Sequence, residues 1–136
     1  MQYYQTRAEK ITGSNFNEMR KKAEKLFDAI KKKSKRKPYI RSAYFKKDKI
    51  FLDYFWGHLY AKQNRRDRIR RIQFYEAAIE LLKNTRLQPV SVDNPNNKNE
   101  TLYRFYGKTN EGCAFIVQIK EHKKSGQKYF ISIFPE

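Results

Sequence analysis

The sequence predicts an α+β domain with N-terminal helices packed on a small antiparallel β-sheet. Three observations carry that expectation. Apolar residues recur at helical spacing up to about Asn84, three runs of period-two alternation fill the final third, and turn residues separate those runs as successive antiparallel strands.

The first helix begins where Ser14 or Asn15 can cap it. Phe16, Met19, Ala23, Leu26, Phe27 and Ile30 then recur at i, i+3 and i+4, carrying it to about Lys33 with a basic opposite face. Pro38 ends any helical tendency. Tyr39 to Phe45 and Lys49 to Leu52 read as a hairpin or two short extended pieces. Phe55, Trp56 and Leu59 open a second helical stretch, which Asn64 with Asp67 can restart. Ile69, Ile72, Tyr75 or Glu76, Ile79 and Leu82 then predict one long helix to about Asn84. Pro89 and Asp93 to Asn99 read as a polar loop. The strands are expected over Leu102–Gly107, Ala114–Glu121 and Lys128–Phe134, with turns at Asn110-Glu111-Gly112 and Ser125-Gly126.

The chain has 136 residues and 39% hydrophobic composition, which fits one domain over 1–136: a helix with a basic tail in 1–38, and a helix plus antiparallel sheet core in 39–136. Its 31 Lys and Arg against 14 Asp and Glu give a net charge of +17, a self-repelling excess that an anionic partner would neutralise. The excess is local. Residues 20–49 hold fourteen basic and three acidic side chains, and residues 62–71 hold six and one. Lys31-Lys32-Lys33-Ser34-Lys35-Arg36-Lys37 reads either as a solvated helix end or as a mobile arm that tracks phosphates. The second patch is Arg-rich and lies beside the only Trp and a His, so Lys62, Arg65, Arg66, Arg68, Arg70 and Arg71 are the expected nucleic-acid contacts.

Period-two alternation assigns the sheet faces. Tyr103 and Phe105 oppose Arg104 and Tyr106; Phe115, Val117 and Ile119 oppose Ile116, Gln118 and Lys120; Tyr129, Ile131 and Ile133 oppose Phe130, Ser132 and Phe134. One face is apolar and should meet the helices. The other gathers Arg104, Tyr106, Gln118, Lys120 and Ser132 among aromatics, either as an ordinary solvent-facing side or as a surface that pairs phosphates and stacks unpaired bases.

His58 and Lys62 stand on one helix face, with Arg65 and Arg66 a turn further. A histidine beside cations can do acid–base work on a ribose 2′-hydroxyl while the cations stabilise the phosphorane, which is metal-free RNA cleavage. The alternative is a half-buried His58 packed beside Trp56. His122 reads as a solvated hairpin residue, or as a second acid–base group if its loop folds over the polar face.

Other chemistries lack residues. Asp53, Asp67, Glu76 and Glu80 are scattered rather than clustered around an ion, no Gly-rich phosphate loop follows a strand, and Cys113 has no evident base beside it. A lone Cys113 excludes an internal disulfide framework and makes a poor metal set with the two histidines, so no metal or cofactor is expected and a reducing cytoplasm fits. No run approaches the roughly 18 apolar residues of a membrane span, so no membrane association is expected.

Lys49-Ile50-Phe51-Leu52-Asp53-Tyr54-Phe55-Trp56-Gly57-His58-Leu59 and Lys128-Tyr129-Phe130-Ile131-Ser132-Ile133-Phe134-Pro135 resemble segments of the phage-associated branch of the barnase, EndoU, colicin and RelE-like ribonuclease fold group. The resemblance covers roughly residues 40 to 136. It implies a toxin-like, metal-independent ribonuclease site with His58 as the helix-borne residue, Arg104 and Lys120 as strand cations, and Ser132 as the terminal hydroxyl. No carboxylate falls on the polar face to match the glutamate of barnase. Three functions follow: an endoribonuclease, a non-catalytic RNA-binding module, or a protein that docks an acidic inhibitor or antitoxin.

Overall fold

The computed structural model describes residues 2–136. Helix α1 (Phe16–Lys33) starts at Asn15, whose side chain accepts from the Glu18 backbone N–H at 3.0 Å, while the Ser14 N–H donates to the Glu18 carboxylate at 2.9 Å. That reciprocal pair satisfies two donors at the helix start. Phe16 and Ala23 are buried along its apolar stripe, and Lys31, Lys32 and Lys33 occupy the last turn, where cations complement the dipole. Beyond Pro38, β2 (Tyr39–Arg41) and β3 (Lys49–Phe51) form the predicted hairpin. Before α1 lies β1 (Tyr4–Gln5), which side-chain alternation did not disclose because two residues are too few to show a period.

Three helices follow: α2 (Tyr54–Tyr60), α3 (Arg65–Ile72) and α4 (Tyr75–Asn84). The long helix expected from Ile69 to Leu82 is therefore two. Phe74 leaves helical geometry at φ −93° and ψ 6°, and the Gln73 carbonyl accepts from the Ile11 N–H at 2.7 Å. The break turns Phe74 onto Phe115, stacked at 5.2 Å, while Arg71 stays on the other side of the chain.

The class is α+β, but the sheet is neither small nor purely antiparallel. Its seven strands run in the order β1-β5-β6-β7-β3-β2, with β4 (Val90–Asp93) also on β5 (Glu100–Lys108). β5, β6 (Ala114–His122) and β7 (Lys128–Pro135) are the expected antiparallel centre, whereas β1 joins β5 and β3 joins β7 in parallel. Parallel pairing between segments distant in sequence leaves no local turn signal. β4, placed in the expected loop region, has all four residues exposed and so lacks alternation.

One face carries Phe105, Phe115, Val117, Ile119, Phe130 and Ile133 into the core. Helix α4 packs closely there, since a Cβ added to Gly107 would stand 2.5 Å from Leu81 Cδ1. In β7 the expected alternation fails. Gln118 pairs with Ser132 and Ile119 with Phe130, so Ile131 is a bulge residue and Tyr129, Ser132 and Phe134 share the opposite, polar face.

β3 covers only the start of the outer edge of β7, at Lys128 and Tyr129. Helices α2 and α3 pack along the remainder, and Arg71 Nη1 donates to the Ile133 carbonyl at 3.0 Å. This edge position gives α2 one side toward the core and another toward the polar face.

Candidate active site

Phe55 and Leu59 are buried on the core side of α2, where Phe55 stacks on Phe130 at 4.7 Å. Trp56 also turns inward, its ring 5.7 Å from Phe27 and 5.3 Å from Tyr75. Tyr54 and His58, four residues apart, lie on the flank toward the polar face. Tyr54 stacks on Tyr129 at 4.7 Å, and His58 lines an open depression with Asp53, Gly57, Ala61 and Lys120. His58 is exposed rather than sealed against Trp56. Its pKa is lowered from 6.5, first by desolvation and then by the positive charges of Lys120 and Lys62, which favours the neutral imidazole.

Lys120 is the hub of this end of the sheet. Its Nζ lies 5.0 Å from the centre of the Tyr54 ring, 5.6 Å from that of Tyr129, and 3.5 Å from Glu100 Oε2. The Glu100 side chain is only 10% exposed; it accepts from Asn94 Nδ2 at 2.9 Å and lies 3.8 Å from His122 Nε2. Glu100 and His122 are cross-strand partners on the polar face, so that face does hold a carboxylate, and His122 is not merely a loop residue. Glu100 was missed, and His122 was read only as a hairpin residue or a conditional second acid–base group, because β5 starts two residues earlier, and β6 ends one residue later, than the alternation signalled. Carried two residues back from Leu102, the same parity would have found Glu100.

Arg104, Gln118 and Ser132 occupy the next cross-strand row, two residues along β6 and about 7 Å from Lys120. Arg104 Nε donates to Gln118 Oε1 at 3.0 Å, and Ser132 Oγ accepts from Arg71 Nη1 at 2.9 Å. Arg71 and Arg104 both lie against Phe134, at 4.9 and 5.9 Å. The four predicted catalytic residues therefore share one face but fall into two adjacent clusters, His58 with Lys120 and Arg104 with Ser132. Tyr106, further along, meets Tyr3 edge-on at 5.9 Å.

The basic helix divides its side chains. Arg68 donates to the carbonyls of Lys62 at 2.6 Å and Tyr60 at 3.0 Å, closing the end of α2. Arg71 is engaged by Asp67, Ser132 and Ile133, and its side chain is 13% exposed. Arg65, Arg66 and Arg70 are exposed, with Arg70 held loosely at 3.9 Å from Asp67. Lys62 is half-buried, close enough to depress the His58 pKa. Among the described residues no group of three or more His, Cys, Asp or Glu is arranged to hold a metal ion, and no helix is long and apolar enough to cross a membrane.

No protein-family model, curated protein or solved structure matches this chain.

Proposed function

We propose that this protein is a metal-independent endoribonuclease of the phage-associated barnase, EndoU, colicin and RelE-like kind, with its chemistry at His58, Lys120, Glu100 and His122. The observation that carries this reading is that Lys120 links the chain's two histidines, lining the His58 depression on one side and sharing the Glu100 carboxylate with His122 on the other.

In this mechanism the neutral His58 takes the proton of a ribose 2′-hydroxyl. The 2′-oxygen attacks the adjacent phosphorus, and Lys120 offsets the charge that builds on the phosphorane oxygens. As the bond to the 5′-oxygen breaks, His122, held beside Glu100, delivers a proton to that leaving oxygen. The products are a 2′,3′-cyclic phosphate and a 5′-hydroxyl. Arg104, Arg65, Arg66 and Arg70 hold neighbouring phosphates. The charge excess also suits an acidic inhibitor or antitoxin protein covering the same face, and the cytoplasm is the compartment in which such an enzyme would meet RNA.

The test is incubation of the purified protein with total RNA and with DNA, with and without EDTA. RNA cut equally in both conditions, DNA left intact and cyclic-phosphate ends are the expected result. His58→Ala should slow cutting by at least about 10²-fold while RNA affinity stays within about twofold. RNA bound tightly but never cut would instead assign the chain to the non-catalytic binding modules.

A further inference from the structure

We infer that the polar face continues past Lys120 into a groove that holds an unpaired RNA segment, with bases stacked on Tyr129, Phe51 and Tyr39 and phosphates against the basic segment that follows α1. The identity of the ligand as RNA rests on the endoribonuclease reading; the groove itself stands on the geometry of the sheet.

Register places these side chains in one lateral row. Lys120 pairs with Tyr129, Tyr129 with Phe51, and Phe51 with Tyr39, so all four project from the same face of β6, β7, β3 and β2. With adjacent strands about 4.8 Å apart, the row carries the face about 14 Å from Lys120 to Tyr39. The rings form a continuous strip. Tyr129, already stacked on Tyr54, lies 5.9 Å from Phe51, and Phe51 lies 6.3 Å from Tyr39. A strip of this length suits the two or three bases that aromatic side chains on a sheet typically stack.

Cations line the far side. Lys33, Lys35, Arg36, Lys37 and Lys49 surround a groove of about 610 Å³ over these rings, and none of its lining residues is a carboxylate. Lys49 Nζ sits 4.6 Å from the centre of the Tyr39 ring, and the Arg41 guanidinium 5.5 Å from it. Positive charge beside half-buried aromatic rings is the combination that binds single strands, where the backbone is anionic and every base offers a π-face. In a duplex those faces are already stacked, so the groove selects unpaired RNA. The Lys31–Lys37 run thus acquires a place in substrate binding instead of serving only as a solvated helix end.

The experiment is fluorescence anisotropy with a six-nucleotide single-stranded RNA and a duplex RNA, alongside cleavage of a dinucleotide substrate too short to reach Tyr39. Tyr39→Ala and the exposed triple variant Lys35→Gln, Arg36→Gln, Lys37→Gln should each weaken single-strand binding by about tenfold, with duplex binding and dinucleotide cleavage within twofold of wild type. Equal affinity of wild type for single strand and duplex, or unchanged single-strand affinity in the triple variant with an unaltered melting temperature, would overturn the groove. Loss of single-strand affinity in these variants, with wild type cutting no RNA, would uphold the groove and remove the endoribonuclease reading instead.

Discussion

At the scale of single residues, the arrangement assigns different work to side chains of the same type. His58 stands in the depression with two lysines near it, and its lowered pKa keeps the base form populated to a lower pH than free histidine. A general base must be deprotonated, so activity should fall only as pH drops through that lowered value. The acidic limb of kcat/KM is expected below 6.5. Lys120→Gln removes one repelling charge and should move the His58 titration upward, as followed by NMR of its ring protons. Unaltered titration would mean that Lys120 does not act on His58. Arg71 illustrates the opposite fate of a predicted contact. It spends its guanidinium on Asp67, Ser132 and the Ile133 carbonyl, so Arg71→Ala should cost about 1–3 kcal/mol of stability by urea denaturation.

At the scale of elements, the site depends on α2 taking the place of a strand beside β7, and on α4 seating tightly against β5. Gly107 marks that second contact, because an added Cβ would approach Leu81 Cδ1 to 2.5 Å and Phe115 Cζ to 2.8 Å. Gly107→Ala should therefore destabilise by about 1–3 kcal/mol in the same measurement, through overpacking rather than any loss of chemistry. What could be read in advance was whatever side-chain periodicity records: the stripe and cap of α1, the hairpin, and the opposed faces of β5 and β6. What escaped depends on the backbone or on distant partners. The break at Phe74 follows from a carbonyl taken by Ile11, the parallel joins of β1 and β3 need segments far apart in sequence, and β4 is exposed throughout. The same limit hid Glu100 and left His122 a conditional candidate. His58 and Lys120 were evident from their neighbours, whereas Glu100 and His122 sat just outside the expected strand ends.

At the scale of the molecule, the charge of +17 meets an open sheet face flanked by exposed arginines on α3 and by the lysines after α1. Binding to single strands should weaken with salt, each phosphate contact adding about −0.7 to the slope of log K against log salt. Replacing Arg65, Arg66 and Arg70 together by Gln should flatten that slope by about 2 if each holds one phosphate, and surface changes of this kind should leave the melting temperature nearly unmoved. The bulge at Ile131 has its own bearing on this surface. The pairs on either side of it, Ile119 with Phe130 and Gln118 with Ser132, are already in phase with a strand one residue shorter. A chain lacking Ile131 would thus keep the other side chains on their faces, while losing one buried side chain and the extra local twist that a bulge introduces. Length variation at this point changes the curvature of the surface on which RNA would lie, and leaves its chemistry intact.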